Sequence, residues 1–511
     1  MTAAAQPAIL RMGTAPGRWV LFATVLGSGL AMLDATVVNV ALERIGTDLD
    51  AGFSELQWTI NAYTLTLAAL ILLGGSLGDR FGRRRVFVIG VVWFAVASLL
   101  CGLAPNIETL VAARALQGVG GALLTPGSLA IISASFHGSD RSAAVGAWSG
   151  LGGIAGAVGP FLGGWLVEWN WRAVFLVNLP VAVLIVVVAA RHVPESRDPD
   201  AAPRLDLAGT TLAVVGLGGL TYALTAAGNS GASPTVLTLG VLGIAALAVF
   251  VLAERRSTHP LVPTGLFRDA QFSAANAVTL FVYAALGVLF VLLVLHLQVV
   301  AGFSPLLAGS ALLPLTVIML VFSARVGALA QRIGPRILLT AGPLVSAAGV
   351  LLMLRIDTDA FYALDVLPAV TVFGAGLALT VAPLTATVLD SAADRYAGVA
   401  SGVNNAAARA AGLLAVAVVP VVAGIGGDDY TDPAAFGASF RTALLIIAGL
   451  LVAGALVALV LIRRPLDAAV DTAQGKPVDG VAARRLRLEE CAHCGVTGPQ
   501  VHPRQPADSP R

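Results

Sequence analysis

Two charged residues lie inside long apolar stretches of this sequence. Asp34 interrupts LDATVVNVAL (residues 33–42), and Arg114 interrupts LVAARALQGVGG (residues 110–121). A charged side chain in the hydrocarbon of a bilayer costs at least ~2.5 kcal/mol, so such residues usually pair with one another and serve a function. Counted at 1.5 Å per residue, both lie ~10 Å from the same predicted side of the membrane. We therefore expect Asp34 and Arg114 to meet.

A carboxylate beside a guanidinium can take up and release a proton when its surroundings change. Burial disfavours the ionised form of Asp34 and a nearby Arg114 favours it, so a change in their separation or hydration shifts the balance. The same carboxylate could instead bind a cationic group. An alternative stays open, in which the two residues form a permanent ion pair that only fixes helix packing.

The composition indicates a membrane protein with many spans. The 511 residues are 57% hydrophobic and 12% charged, and their mean hydropathy is +0.86. About fourteen apolar stretches reach the ~20 residues needed to cross a bilayer. The sequence therefore predicts an all-α polytopic membrane protein and argues against a soluble globular protein.

The arginines predict the orientation in the membrane. Arg11 and Arg18 precede the first span without a cleavage site, so this span is expected to remain in the protein. Arginine is much more frequent in the loops on the N-terminal side of the membrane, which predicts that both termini are cytoplasmic. The 31 basic residues include a single lysine, which suggests a GC-rich genome and nothing more. The expected location is the bacterial cytoplasmic membrane, as a multi-pass protein.

An internal repeat divides the predicted spans into two halves. GSLGDRFGRR (residues 75–84) returns 252 residues later as GALAQRIGPR (residues 327–336). Repeated halves with a transport site between them are typical of secondary transporters. The expected segments are a cytoplasmic tail (1–17), a six-helix bundle (18–195), an extra helix pair (196–265), a second six-helix bundle (266–463) and a cytoplasmic, disordered tail (464–511).

Both the first copy of the repeat and a later glycine-rich stretch are candidate functional motifs. In the first copy, glycines permit a tight turn, the acid can accept hydrogen bonds from an arginine or a helix N-terminus, and arginines hold the loop inside. The residues of this charged turn are Gly75, Asp79, Arg80, Gly82 and Arg83. The second copy has Gln331 in place of the acid, so the halves are not chemically equal.

The glycine-rich stretch is GLGGIAGAVGPFLGG, at residues 150–164. Glycines four apart let helices approach closely, and an internal proline can bend the helix. The residues singled out are Gly152, Gly156, Gly159, Pro160, Gly163 and Gly164.

Taken together, these motifs resemble those of the major facilitator superfamily, and within it the fourteen-span drug/proton antiporters, over residues 18–463. The charged turn matches the signature loop between spans 2 and 3, and Arg114 with Gln117 matches the fourth-span motif. The glycine-rich stretch is similar to the fifth-span motif that marks exporters. WNWRAVFLVNLP (169–180) and QVVAGFSPLLAGSALLPL (298–315) are also typical of fourteen-span members.

The resemblance implies a fold of two six-helix bundles plus a central helix pair, and multidrug efflux driven by the proton motive force. Asp34 and Arg114 would couple protons to substrate, and the charged turn would act as a gate. The expected substrates are drugs or other amphipathic or cationic small molecules, although span 10 lacks the second acid of some relatives. We expect no cofactor besides protons, a lipid bilayer as surroundings, no nucleic acid and a monomer.

Other activities are weaker alternatives. Export of a specific lipid or a self-made metabolite fits the same motifs, whereas proton symport is disfavoured by the fifth-span motif. GNSG (228–231) has the form of a serine protease motif, but the sequence indicates no base within reach. HExxH and Walker motifs are absent from the sequence, so we expect no enzyme.

A few further polar residues lie in or beside the predicted spans. Asn404 and Arg409 form a polar site in span 13, for which Asp390 is the nearest candidate acidic partner. His296, near the end of span 9, is more simply an interfacial residue than a proton relay. The CAHC at residues 491–494 reads as unstructured thiols, so we expect no metal site.

Overall fold

The chain forms long α-helices through the residues that the structure describes. This computed structural model describes residues 10–198, 205–231, 233–257, 262, 264–392, 397–426 and 432–462. The described helices belong to one compact unit. The predicted C-terminal tail, with its CAHC, lies outside the described residues.

The helices follow the apolar stretches closely. The first half contains α1 (Ala15–Leu49), α2 (Phe53–Phe81), α3 (Arg83–Gly102), α4 (Ile107–Ser135), α5 (Gly138–Trp169), α6 (Ala173–Leu176) and α7 (Asn178–His192). They are followed by α8 (Leu207–Ser230), α9 (Pro234–Arg256), α10 (Ala270–Val299), α11 (Pro305–Ser310), α12 (Leu313–Ile333), α13 (Pro335–Leu352), α14 (Leu367–Asp390), α15 (Ala397–Ala423) and α16 (Pro433–Leu461).

Fourteen long helical segments lie where the sequence predicts spans. Within the described residues, 13 segments are long and apolar enough to cross a membrane, with α6–α7 and α11–α12 each counted as one. The predicted fifth span corresponds to the 32-residue helix α5. The all-α polytopic fold is therefore confirmed, while the boundaries at residues 195 and 265 stay a prediction.

The first helix is longer than the sequence indicated. A first span of ordinary length that follows Arg18 would end at about residue 41, but α1 continues to Leu49 and ends where Asp50 adopts a left-handed conformation with φ of 52°. The segment ALERIGTDL contains no proline before that point, and Arg44 pairs with Asp48 one turn later at 3.7 Å. Asp34 therefore lies near the middle of α1.

The repeat is visible in the backbone as well as in the sequence. Gly82 ends α2 and begins α3, and Gly334 ends α12 and begins α13. Their φ angles are 116° and 83°, a region that glycine adopts without steric cost. The two glycines are 252 residues apart, so each half folds the same turn at the same position.

The helices of each half pack mainly with one another. In the first half, α2 and α3 pack on α4, and α1 packs on α5; in the second, α13 packs on α14, and α10 packs on α15 and α16. The two helices between the halves, α8 and α9, pack mainly on each other, and α8 also contacts α2 and α15. These contacts bring the functional motifs to the helix interfaces.

The halves meet at the ends of the helices that the sequence predicts to face outward. Gln57 Nε2 donates a hydrogen bond to the carbonyl of Val416 at 2.7 Å. Gln298 Nε2 donates to the carbonyl of Val40 at 3.2 Å. Both bonds join a helix of the first half to a helix of the second.

Candidate functional site

Asp34 and Arg114 are brought together in the interior of the first half. Arg114 NH1 donates to Asp34 Oδ2 at 2.5 Å. The other carboxylate oxygen accepts from Gln117 Nε2 at 2.8 Å and from Asn178 Nδ2 at 2.9 Å. Asp34 is 0% exposed and Arg114 is 1% exposed, so neither charge reaches solvent or lipid in this conformation. Three donors therefore stabilise the ionised carboxylate.

Besides Asp34 in α1, residues of α2, α4 and α6 contact the guanidinium of Arg114. Its Nε donates to the carbonyl of Thr59 in α2 at 3.0 Å, and NH1 also donates to Gln117 Oε1 in α4 at 2.6 Å. The ring of Tyr63 lies 4.3 Å from the guanidinium carbon, and the ring of Phe175 lies 5.8 Å from it. Hydrogen bonds and cation–π contacts thus replace the hydration that a buried arginine loses.

Two residues of this site were missed by the sequence analysis. Ser98 Oγ accepts from Gln117 Nε2 at 2.6 Å and from Asn178 Nδ2 at 3.0 Å, and both side chains are fully buried. Asn178 is the first residue of α7, after a break at Val177, inside the WNWRAVFLVNLP motif that was noted without a role. A polar side chain within an apolar span was the available signal.

The charged turn pairs within itself. Arg83 donates to Asp79 Oδ1 through Nε at 2.8 Å, and its NH2 lies 2.7 Å from the same oxygen. Arg80 stacks on the neighbouring Phe81 ring at 5.3 Å, and Gly75 faces α4 at Pro126. The acid near the end of α2 is thus paired with the first residue of α3, four positions further along the chain.

An unpredicted acid caps the helix after the turn. The Glu195 carboxylate accepts from the backbone N–H groups of Arg84 at 3.0 Å and Arg85 at 3.2 Å. Arg84 also donates from NH1 to the carbonyl of Val193 at 3.1 Å. A carboxylate at a helix N-terminus satisfies free N–H groups and the helix dipole. A Cβ at Gly82 would lie 2.8 Å from Glu195, so this position also requires a small residue.

The glycines of α5 lie against two different helices. A Cβ on Gly159 would clash with the hydroxyl of Thr36 in α1, and one on Gly163 would lie 3.1 Å from the Cα of Val37. These two glycines therefore allow α5 to approach α1, the helix of Asp34. Gly152 and Gly156 fall in a stretch of α5 whose side chains lie outside the described set.

The end of the same motif contacts the other half. A Cβ on Gly164 would lie 2.5 Å from the carbonyl oxygen of Pro305 at the start of α11. A Cβ on Gly309 in α11 would clash in turn with the carbonyl of Pro160. The glycine-rich motif therefore makes a backbone-to-backbone contact across the seam between the halves.

The polar site of span 13 differs from the expectation. Thr279 Oγ1 donates to Asn404 Oδ1 at 2.7 Å, and Arg409 Nε donates to Asn405 Oδ1 at 3.2 Å. The suggested pairing with Asp390 is wrong, because none of the ion pairs among the described residues includes Arg409 and Asp390 is exposed at the end of α14. Asp390 and Arg409 lie at different heights, as the loop between α14 and α15 follows the acid.

His296 is buried rather than interfacial. Its side chain is 1% exposed, its Nε2 lies 3.1 Å from the carbonyl oxygen of Ile356, and its ring stacks on Phe440 at 3.9 Å. Because α10 continues to Val299, His296 lies about one turn before the end of the helix and packs inside the second half.

Comparison with known proteins decides the family. The family described as Major Facilitator Superfamily matches residues 24–416. This chain belongs to the major facilitator superfamily. Members of this superfamily are transporters, and the chain is accordingly a multi-pass membrane protein.

Individual relatives within the major facilitator superfamily agree with this assignment. The puromycin resistance protein pur8 of Streptomyces alboniger is 38% identical over 475 residues, which cover 90% of this chain and 94% of the relative. The multidrug resistance protein Stp of Mycobacterium tuberculosis is 37% identical over 403 residues, covering 78% and 74%. A crystal structure of a peptide transporter, with sulfate bound, matches 88% of this chain and 96% of its own with a TM-score of 0.63. At 15% sequence identity, that structure supports the fold alone.

Proposed function

We propose that this chain exports small amphipathic molecules across the bacterial cytoplasmic membrane in exchange for protons, by alternating access between its halves. The observation that carries the proposal is the fully buried Asp34, paired with Arg114 near the middle of a membrane-spanning helix. A carboxylate in that position is costly, and such residues in membrane spans usually serve a function. Relatives named for puromycin resistance and multidrug resistance support a drug as the exported molecule.

Proton uptake by Asp34 requires a hydrogen-bond acceptor for the new O–H group. Gln117 Oε1 already accepts from Arg114, and Ser98 Oγ already accepts twice. Asn178 Oδ1 is buried and lacks a hydrogen-bond partner among the described residues. Rotating the Asn178 amide would turn this oxygen toward Asp34 and withdraw the donor that stabilises the carboxylate. Asn178 is thus suited to stabilise both protonation states.

The proton gradient is large enough for useful export. One proton moving inward supplies ~2.3 kcal/mol per 100 mV of membrane potential and ~1.4 kcal/mol per unit of pH difference. Together these sustain a concentration ratio on the order of several hundredfold for an uncharged substrate. The proton is the only coupling species that we propose; no cofactor, catalytic activity or nucleic-acid partner is assigned, and the monomer is the proposed working unit.

The proposed orientation places both termini in the cytoplasm. In that orientation the contacts of Gln57 with Val416 and of Gln298 with Val40 lie on the outer side, so this conformation is the one closed to the outside. The charged turn and Glu195 lie on the inner side. Opening to the outside requires the halves to separate along these contacts, as in alternating access.

Purified protein in proteoliposomes tests the proposal. With an imposed pH gradient, the wild type should move at least one compound from a panel of cationic, neutral and anionic amphipathic drugs against its concentration gradient. Asp34→Asn should lose this movement, and Asp34→Glu should retain part of it with a shifted pH dependence. The control is Arg441→Gln, which removes an exposed arginine of α16 that pairs with Asp357. Proton-driven transport by Asp34→Asn at the wild-type rate would show that coupling belongs to another residue.

A double variant separates proton coupling from a purely structural ion pair. Asp34→Asn with Arg114→Gln removes both charges, so neither is left buried without its partner. If the pair only fixes helices α1 and α4, the double variant should recover transport that either single variant loses. Under the coupling proposal it should fold and remain uncoupled.

A further inference from the structure

Arg409 lies at the seam between the two halves. Helix α15 runs antiparallel to α2, since Gln57 bonds to the carbonyl of Val416 and Leu72 lies against Gly402. This register places Arg409 level with Tyr63, close to the middle of both helices. Arg114 stacks on the ring of Tyr63 within the first half.

The other side of α15 fixes Arg409 against α10. Glycines at 287 and 412 allow the two helices to approach so closely that a Cβ on the first would lie 2.7 Å from the Cα of the second. The backbone that carries Arg409 is therefore closely packed against α10.

The guanidinium of Arg409 has few hydrogen-bond partners among the described residues. Among the described residues it makes one hydrogen bond, from Nε to Asn405, and no ion pair. The Arg409 side chain is half-buried and Asn405 is exposed, so a ligand can reach them in this conformation. A guanidinium has five N–H groups in a planar fork that matches a carboxylate or a sulfonate.

The acid that could neutralise Arg409 is occupied elsewhere. Asp34 is 0% exposed and its oxygens already accept from Arg114, Gln117 and Asn178. The Tyr63 ring covers Arg114 in the interior of the first half, and its hydroxyl donates to the carbonyl of Ala31. At the level of Arg409, the seam between the halves therefore presents a positive charge, while the negative charge of Asp34 is enclosed in the first half.

We propose that Arg409 binds an acidic group of the exported molecule, so that the substrates are amphipathic molecules carrying a carboxylate, a sulfonate or an acidic phenol. This inference rests on the proposed export function and specifies its substrate class. It also separates the two sites: the proton binds Asp34 in the first half, and the substrate binds Arg409 in the second.

The substrate class determines the charge moved in each cycle. One proton inward and one monovalent anion outward move two positive charges inward, whereas proton exchange for a monovalent cation is electroneutral. Export of an anion should therefore accelerate under an inside-negative potential even without a pH gradient, and export of a cation by a one-for-one exchange should not.

A matched pair of fluorescent probes tests the binding site. 1-Anilinonaphthalene-8-sulfonate and N-phenyl-1-naphthylamine share one aromatic skeleton, and only the first carries a sulfonate. Purified wild-type protein should bind the sulfonate probe more tightly than the neutral probe by about tenfold or more, the usual effect of a charge-assisted hydrogen bond. Arg409→Gln should remove this difference and leave binding of the neutral probe unchanged.

Further variants make the result decisive. Arg409→Lys keeps the charge without the planar fork and should keep part of the preference. Arg441→Gln removes an exposed arginine of α16 and should keep all of it. Unchanged preference in Arg409→Gln, or equal loss of both probes in a variant that remains monodisperse, would overturn the proposal.

The same probes distinguish this inference from the proposed function. Asp34→Asn should keep the preference for the sulfonate probe while losing proton-driven transport. If Asp34→Asn uncouples transport but Arg409→Gln keeps the preference, the substrate inference fails and the proton proposal stands. If Arg409→Gln loses the preference but Asp34→Asn still couples protons, the proton proposal fails and the substrate site stands.

Discussion

The first half of the molecule encloses its central charges, and the second half leaves its central charge open. Asp34 and Arg114 are almost fully buried and share hydrogen bonds with Gln117 and Asn178. Arg409, at a similar height in the second half, is half-buried and bonds only to Asn405 among the described residues. The halves fold the same repeated turn, with Gly82 and Gly334 at equivalent positions.

This difference separates two tasks that one carboxylate could have combined. A charge surrounded by fixed donors is suited to a proton, which is small enough to enter without displacing a helix. A charge with free N–H groups is suited to a larger ligand. Direct competition of a cationic substrate with a proton at Asp34 would require the donors from Arg114, Gln117 and Asn178 to be displaced first.

The largest effects are expected from removing the charge of Asp34 or of Arg409 in separate variants. Asp34→Asn should reduce proton-driven export on the order of 100-fold or more, because it removes the proton site while leaving a buried cation. It should leave substrate exchange without a proton gradient largely intact. Arg409→Gln should show the reverse, with weaker substrate binding and a retained proton-to-substrate ratio. Parallel losses of coupling and affinity in both variants would indicate one shared site.

The seam between the halves should be the next most sensitive feature. Gly164→Leu places a side chain where a Cβ alone would lie 2.5 Å from the Pro305 carbonyl oxygen, so the outer contact cannot close. Turnover should fall by about tenfold or more, in line with 1 to 3 kcal/mol of conformational coupling. Gly146→Leu in the same helix is the control, because a Cβ there has no atom within 4 Å. Equal turnover in the two variants would show that this contact is dispensable.

Asn178 sharpens the description of the enclosed site. Asn178→Ala removes a donor to the ionised Asp34 and the acceptor proposed for the protonated form, so the pH profile of transport should flatten with a loss of about tenfold. Ser98→Ala keeps the amide beside Asp34 and removes only its second anchor, so its effect should be smaller. The transport rate measured across pH in proteoliposomes distinguishes the two variants, and identical profiles would argue against the amide rotation.

The smallest effects are expected at Glu195, which caps the helix after the first copy of the repeated turn, and at Gln331 in the second copy. Glu195→Gln weakens the cap of α3 by about 0.3–1 kcal/mol, since the charge near the helix N-terminus is lost. Turnover should change by about two- to fivefold, the rate equivalent of that energy. The second copy has Gln331 and begins its following helix with Pro335, so Gln331→Ala should have little effect. A stronger effect at Gln331 would reverse the proposed asymmetry of the turns.

Sequence alone specified the membrane fold, because composition and stretch length are local properties. A span of ~20 apolar residues in hydrocarbon must form a helix, since every backbone group needs an internal partner. The same reasoning located Asp34 and Arg114, whose charges are conspicuous against apolar neighbours. The repeat likewise predicted the turns at Gly82 and Gly334, since a positive φ favours glycine.

The tertiary structure decided which polar residues share a site. Ser98, Asn178 and Tyr63 come from three different helices, and no spacing along the chain indicates that they surround one ion pair. Glu195 lies in a charged linker, where an acid carries no signal for the helix that it caps. Asp390 was favoured for Arg409 because it is close along the chain, but heights and facing directions of helices are set by packing across the whole membrane. Only that packing left Arg409 open between the halves while enclosing Asp34.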